Sequence, residues 1–183
     1  MKHKQQYNDD DINAYAASKG IVPGTLLWAA NVPLSEEAFR GGNKTVPNTH
    51  YLRVSDLVKG QGGGRIPEAE QGKWVVNPGQ GISLFIKKKI PQAMIYIGAH
   101  GSPEVPSKGK LEKQYDPLAE VTWWKIEQGQ VIPSGLQLVF DGEPPGHCTL
   151  TVERSMKLSA FLELVALVHF QDAGTEFYGT AKQ

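Results

Sequence analysis

Hydrophobic and polar residues alternate along several short stretches of the chain, with the period of two that is typical of half-buried strands. In residues 82–87, for example, Ile82, Leu84 and Ile86 fall on one face and Ser83 falls on the other. Turn sequences rich in glycine and proline separate these stretches. The pattern predicts strands over residues 25–32, 51–58, 73–76, 82–87, 93–97, 121–126, 136–141 and 147–153.

Three segments have helical rather than strand patterns. Residues 9–19 start with aspartates and stop at Gly20, and residues 35–40 look like a capped helical turn before a glycine pair. Residues 156–170 carry apolar side chains at helical spacing, which predicts an amphipathic helix packed on a sheet. The order of these elements predicts an α+β fold with mixed, largely antiparallel sheets and a C-terminal amphipathic helix.

Length and charge narrow the class of protein. The 183 residues fit one compact unit, which we divide into an N-terminal extension over residues 1–48 and a main domain over residues 49–183. Nineteen basic and nineteen acidic residues give no net charge, which argues against a protein that coats nucleic acid, although a local basic patch leaves nucleic acid open as a partner. The single cysteine, Cys148, excludes an internal disulfide framework.

The N-terminal residues are polar and have no apolar stretch of the kind found in signal peptides. The most apolar segment, residues 158–170, is too short and too polar to span a bilayer. We therefore expect a protein without a membrane span, and any secretion would proceed without a cleavable signal peptide.

Histidine and cysteine occur side by side at the start of the last predicted strand. Adjacent strand residues point to opposite faces, so His147 and Cys148 cannot act on each other as base and nucleophile. Cys148 shares the apolar face of Leu150 and is expected in the core, whereas His147 shares the polar face of Thr149. A turn or surface position for His147 remains the alternative. The five histidines lack paired spacing, so we expect no metal site.

Arginine and serine on predicted strands are candidates for binding an anion. Arg53 lies on a polar strand face, where its guanidinium would suit a bidentate contact. Ser83 opens a strand directly after the glycine turn that ends at Gly81. A turn, a hydroxyl and a guanidinium are chemically sufficient to hold a pyrophosphate. From periodicity alone, a surface arginine and an ordinary strand serine are the alternative reading. The glycine loop at 60–65 lacks the Lys-Ser/Thr ending of a P-loop.

Three blocks of the sequence resemble a known family when they are taken in chain order. Residues 51–54 look like the "LYR" strand of ADP-ribosyltransferase-like toxins, and residues 74–85 resemble their aromatic, glycine-turn and hydroxyl-bearing strand. Residues 124–141, residues 147–150 and Met156 resemble a C-terminal block with the pattern "IPxGTxIPxGL", an aspartate, "HYTI" and a methionine before a helix. The sequence is thus similar to cytoplasmic toxins with an ADP-ribosyltransferase-like fold that are exported by type VI secretion.

The resemblance implies a cleft that binds NAD as the substrate. Arg53 would bind a phosphate or ribose of NAD, and Tyr51 and Gly81 would belong to the same binding site. Ser83 would support the strand that forms the cleft, and His147 would lie near it as a catalytic candidate.

The resemblance also implies a catalytic carboxylate that stabilises an oxocarbenium-like transition state. Glu153 is the first candidate for this role and Glu176 is the second. Ile82 and Cys148 depart from the family pattern, because small hydroxyl and aromatic residues are usual at those two positions.

The function implied is that of an interbacterial toxin that transfers ADP-ribose to a macromolecule in the target-cell cytoplasm. A cognate immunity protein would neutralise it. An NAD glycohydrolase, with water as the acceptor, is a close alternative. A non-enzymatic partner-binding module, using the polar connection at residues 98–117 and its lysines, is the second class of function.

Overall fold

The computed structural model describes residues 9–88 and 119–178, and it shows a mixed α+β architecture in which strands predominate. Every strand pairing among the described residues is antiparallel. The helices are α1 (Asp9–Ser18), α2 (Val54–Leu57) and α3 (Leu158–Val165), with a 3-10 helix at Glu68–Lys73. The strands are β1 (Leu26–Trp28), β2 (Phe39–Gly42), β3 (Val75–Val76), β4 (Gly81–Phe85), β5 (Ala119–Ile126), β6 (Leu136–Phe140), β7 (His147–Val152), β8 (Met156–Lys157) and β9 (Phe170–Tyr178).

Seven strands form one sheet in the order β1-β6-β7-β4-β2-β5-β9, and β3 pairs with β8 in a small separate sheet. The large sheet is joined unevenly. Strand β4 pairs with β7 over five residues, but it pairs with β2 only through Phe39 and Phe85. The sheet therefore divides between β4 and β2 into two parts, β1-β6-β7-β4 and β2-β5-β9.

One face of the sheet carries the hydrophobic core. Ile82 and Leu84 of β4 are almost fully buried there, as are Cys148 and Leu150 of β7. The apolar side of helix α3 belongs to the same hydrophobic core. The buried residues of α3 are Leu158, Phe161, Leu162 and Val165. The predicted alternation of β4, β6 and β7 and the core position of Cys148 are therefore confirmed.

The opposite face of the sheet combines aromatic and polar side chains. The rings of Phe39 and Trp123 meet edge to face at 6.4 Å, and those of Phe85 and His147 meet in the same way at 5.4 Å. Ser83 follows the same alternation as Phe85 and lies on this face. The face therefore holds Ser83 and His147 together, away from the apolar core.

Two predicted elements have a different structure. Residues 51–58 are not a strand: α2 begins at Val54, and the Asp56 carboxylate accepts the Arg53 backbone N–H at 2.7 Å, which stabilises the helix start. Residues 35–40 are not a helical turn. Strand β2 begins at Phe39, and this strand pairs with β5 over four residues. Pairing and burial in the sheet override the local helical pattern in this case.

The C-terminal part of the fold also differs from the prediction. The amphipathic helix is eight residues long, with β8 before it and β9 after it, and therefore does not end the fold. The predicted helix was to reach residue 170, but Phe170 begins the edge strand β9, which pairs with β5 and was not among the predicted strands. One face of an edge strand can be solvated, so its polar composition gives only a weak strand signal.

The predicted N-terminal extension contributes two strands to the large sheet. Strand β1 lies at one edge of the large sheet and β2 lies inside it, so the part of the extension over residues 26–42 belongs to the same sheet as the main domain. The predicted strand at 93–97 and the connection at 98–117 lie outside the described residues. No helix in the described part of the chain is long and apolar enough to cross a membrane.

We expect Gly81→Ala to destabilise the fold severely. Gly81 has φ +154, and an added Cβ would lie 2.0 Å from the Leu150 carbonyl oxygen in the neighbouring strand. The loss in the free energy of unfolding should be at least about 2 kcal/mol by denaturant titration. Gly62→Ala is the matched control, since nothing lies within 4 Å of the position of its Cβ. Equal stability of the two variants would contradict this account of Gly81.

Candidate functional site

Three polar side chains from neighbouring strands meet on the aromatic face of the sheet. Ser83 pairs with Thr149 in the β4–β7 ladder, which makes His147 its diagonal neighbour on the same face. Asp141 follows the last residue of β6 and donates its backbone N–H to the His147 carbonyl at 3.2 Å. The register of β4, β7 and β6 therefore brings Ser83, His147 and Asp141 together in that order.

Hydrogen bonds connect these three side chains directly. His147 Nε2 lies 2.9 Å from Ser83 Oγ, and His147 Nδ1 lies 2.5 Å from Asp141 Oδ1. The Thr149 hydroxyl donates to Asp141 Oδ2 at 2.8 Å. The side chain of His147 is 14% exposed and that of Asp141 is 43% exposed, so the arrangement opens to solvent at Asp141. We call these three residues, Ser83, His147 and Asp141, the relay.

The charge of Asp141 fixes the direction of the hydrogen bonds in the relay. Partial burial acts to raise its pKa, but the hydrogen bond and charge of His147, with the donors from Thr149 and Glu143, lower that pKa overall. The carboxylate is therefore ionised at neutral pH and accepts a hydrogen bond from the protonated Nδ1 of His147. In the neutral ring Nε2 then carries no proton and accepts the Ser83 hydroxyl. Chemically, the imidazole is placed to act as a general base.

The cysteine next to the histidine is excluded from this chemistry. Cys148 is fully buried on the core face, and burial raises the pKa of its thiol well above the usual value. A buried neutral thiol is a poor nucleophile. The expectation that His147 and Cys148 serve opposite faces is confirmed.

A guanidinium occupies the division of the sheet on the face opposite the relay, because Phe39 shares the relay face with its partner Phe85 and the next residue, Arg40, points the other way. Arg40 of β2 donates from Nη1 to the Ser83 carbonyl at 2.8 Å, from Nε to the Pro47 carbonyl at 2.9 Å, and from Nη2 to the Asn48 carbonyl at 2.7 Å. Burial of the guanidinium lowers the pKa of Arg40 to about 10, which leaves it charged at neutral pH. Arg40 thus places a positive charge against the backbone of the residue that carries the relay hydroxyl.

Two basic side chains, those of Arg65 and His50, contact the ring of Tyr51. The Arg65 guanidinium lies 4.5 Å from the centre of the Tyr51 ring, and the His50 ring meets that ring edge to face at 5.0 Å. Arg53 and Arg65 form an isolated backbone bridge. We call His50, Tyr51, Arg53 and Arg65 the Tyr51 cluster. Burial, followed by the charges of Arg65 and Arg40, lowers the pKa of His50.

Arg40 lies near both of the predicted partners Arg53 and Ser83, but it contacts the backbone of Ser83 and not its hydroxyl. The charge of Arg53 contributes to lowering the pKa of Arg40, so the two guanidinium groups lie within electrostatic range. Arg40 in turn contacts the Ser83 carbonyl. The Gln80 amide also donates to the Leu57 carbonyl at 2.9 Å, which fixes α2 against the turn before β4.

The two candidate glutamates lie apart from the relay. Glu153 is exposed beyond the end of β7, about 20 Å along the strand from His147. Glu176 lies in β9 opposite Val121, three strands from β4 and about 14 Å away across the sheet. Asp141 is instead the carboxylate in contact with His147; it is the aspartate of the block that resembles the toxins, but it was not among the predicted site residues.

Sequence reasoning gave no site role to two residues of this region, Asp141 and Arg40. Asp141 follows a strand and precedes a glycine-proline turn, a position where aspartate is common for local reasons. The available signal was its place on the same face as His147, which becomes visible only when β6 and β7 are paired in register. Arg40 gave no signal because residues 35–40 read as helical.

A groove of about 720 Å³ lies elsewhere, between the loops at residues 29–37 and 127–132. None of Arg53, Ser83 and His147 lines it. Among the described residues, no group of three or more His, Cys, Asp and Glu side chains is placed to hold a metal ion. No protein-family model, curated protein or solved structure matches the chain.

Stability should depend on pH through Asp141. Because its pKa in the folded state lies below the ordinary value of 3.8, its stabilising contribution is present above that value and is lost as the pH falls through the lower folded pKa. We expect Asp141→Asn to lower the free energy of unfolding by roughly 1–2 kcal/mol at neutral pH, with the difference from wild type shrinking in acid.

Denaturant titrations across this acid range measure the effect. Glu143→Gln is the control, since this exposed residue keeps the backbone N–H that it donates to Asp141 at 3.2 Å. A difference between wild type and Asp141→Asn that does not change with pH would show that the Asp141 carboxylate is not stabilised by its contacts.

Proposed function

We propose that the chain is an NAD-dependent ADP-ribosyltransferase that acts as an interbacterial toxin in the target-cell cytoplasm. The observation that carries the proposal is the contact of Arg40 with the Ser83 carbonyl, which connects the region of the Tyr51 cluster to the strand that holds the relay hydroxyl. The similarity of residues 51–54, 74–85 and 124–150 to ADP-ribosyltransferase-like toxins supplies the choice of NAD.

Charge supports a dinucleotide substrate. Arg53 and Arg65 of the Tyr51 cluster contribute two guanidinium groups, whereas the guanidinium of Arg40 is committed to three backbone carbonyls. Guanidinium groups bind phosphate oxygens through paired donors. In this proposal Arg53 holds the pyrophosphate of NAD, with Tyr51 and Gly81 shaping the same site.

The relay supports cleavage of a glycosidic bond. The reaction builds positive charge on the nicotinamide ribose as nicotinamide leaves. A carboxylate held behind an imidazole stabilises such a charge by electrostatics, and Nε2 of His147 can accept a hydrogen bond from a ribose hydroxyl. We propose His147 for this contact and Asp141 as the residue that positions it. Glu153 and Glu176 stay secondary candidates.

Two other functions are alternatives to this proposal. An NAD glycohydrolase would use the same cleft, with water in place of the macromolecular acceptor. A non-enzymatic binding module would use the basic cluster to hold a partner without turnover. In the toxin proposal a cognate immunity protein blocks the site, and delivery by type VI secretion requires no cleavable leader.

Purified protein should release nicotinamide from NAD. Arg53→Ala should raise the KM for NAD because it removes a guanidinium that binds the pyrophosphate. His147→Ala should lower kcat by roughly 10²–10⁴-fold. Arg154→Ala, at an exposed position, is the matched control for loss of an arginine and should behave as wild type. Transfer of labelled ADP-ribose to protein or nucleic acid in a cell extract separates the transferase from the glycohydrolase. Release of nicotinamide at the background level by wild type and variants alike would exclude this enzymatic activity.

Expression in the bacterial cytosol without an immunity partner should arrest growth. His147→Ala should relieve the arrest at equal protein level, because the proposed toxicity needs the intact site. Growth curves with immunoblots provide the measurement. Normal growth at a verified level of wild-type protein would argue against a toxin, and arrest by wild type and His147→Ala alike would uncouple toxicity from this site.

A further inference from the structure

The relay has the connectivity of a nucleophile, a base and a group that orients the base. Ser83 Oγ contacts His147 Nε2 at 2.9 Å, and His147 Nδ1 contacts Asp141 at 2.5 Å. Such a connection lets the imidazole take the hydroxyl proton as the oxygen attacks an electrophile. The roles follow from the geometry alone, because the same arrangement recurs on unrelated folds.

Other serine hydroxyls in the described chain have different partners. Ser155 Oγ donates to Asn77 Oδ1 at 2.6 Å, and Ser35 Oγ donates to the Leu27 carbonyl at 3.3 Å. An amide or carbonyl oxygen accepts a hydrogen bond but does not act as a general base near neutral pH. Contact with an imidazole therefore distinguishes Ser83 from these two residues.

The partial exposure of Ser83 and His147 also favours a reactive hydroxyl at Ser83. Ser83 and His147 are partly exposed, whereas their neighbours Phe85 and Thr149 are buried. The edge-to-face contact with Phe85 and the bond to Asp141 fix the imidazole ring on two sides. A base that is held in place and still reached by solvent meets the geometric needs of nucleophilic catalysis.

We infer that the Ser83 hydroxyl is a nucleophile activated by His147 and that it gives the chain an acyl-transfer activity toward carboxylic esters. Ser83 Oγ attacks the ester carbonyl carbon while its proton passes to His147 Nε2. The ester C–O bond breaks, and the leaving alcohol takes that proton. Water then attacks the acyl-Ser83 ester with His147 again as the base, which releases the carboxylic acid and restores the serine. Asp141 is a positioning residue in both steps. This activity does not require NAD.

A fluorophosphonate probe tests the nucleophile without knowledge of the natural substrate. Ser83 Oγ would bond to phosphorus as fluoride leaves, and peptide mass spectrometry would locate the adduct. We expect labelling of the folded full-length protein at Ser83, its loss in Ser83→Ala, and a decrease of roughly 10²–10⁴-fold in the labelling rate for His147→Gln. Hydrolysis of p-nitrophenyl acetate should follow the same order.

Matched variants distinguish activation of the Ser83 hydroxyl by His147 from simple exposure of a serine to the probe and from loss of the fold. Ser155→Ala removes an exposed serine whose hydroxyl bonds to an amide, and it should label like wild type. Asp141→Asn should label slowly, with a changed pH profile, because an asparagine donor at Nδ1 would place the ring proton on Nε2. Imidazole in solution should partly restore labelling of His147→Ala, which a purely structural histidine would not show. Circular dichroism establishes that each variant is folded.

Failure of this inference differs from failure of the NAD proposal. Unlabelled wild type, equal labelling of Ser155, or labelling independent of His147 would overturn the nucleophile, even if nicotinamide is released. Labelling of Ser83 in a protein that leaves NAD intact would sustain the nucleophile and remove NAD as substrate.

Discussion

The guanidinium of Arg40 is the interaction on which the candidate site depends. It binds the carbonyls of Pro47, Asn48 and Ser83, and so ties the segment before the Tyr51 cluster to the middle of β4. Strands β2 and β4 share only one residue pair, so this side chain replaces ladder hydrogen bonds that the sheet lacks. A charged donor to a carbonyl is stronger than a neutral one, which suits it to this position.

The relay depends on strand register in the same way. A slip of one residue between β4 and β7 would move Ser83 to the core face and leave His147 without its hydroxyl partner. Gly81 is required for this register, because a Cβ at that position would clash with the Leu150 carbonyl oxygen. The hydrogen bonds of Thr151 to Gly79 and Gln80 hold the turn before it. The hydrogen bonds of the relay on the polar face thus depend on the strand register, which the packing on both faces of the sheet fixes.

The sequence allowed some of these features to be predicted, and physical reasons account for the rest. Strands β4, β6 and β7 alternate strictly because one face is a dry core, and this placed Ser83 and His147 correctly on polar faces. Alternation says nothing about which strands are neighbours, so Asp141 could not be joined to His147. Arg53 was assigned to a strand because residues 51–58 alternate, although the Asp56 carboxylate stabilises a helix start there.

The position of β2 in the sheet sets the order in which the chain can acquire its structure. Asn43, at the end of β2, accepts a hydrogen bond from Trp124 of β5, which lies 81 positions later in the chain. During synthesis on a ribosome, β2 must therefore wait unpaired on that side until β5 has emerged. Closure between such distant segments is slow compared with local folding. The part of the sheet formed by β2, β5 and β9 therefore stays open until β5 and β9 have emerged from the ribosome.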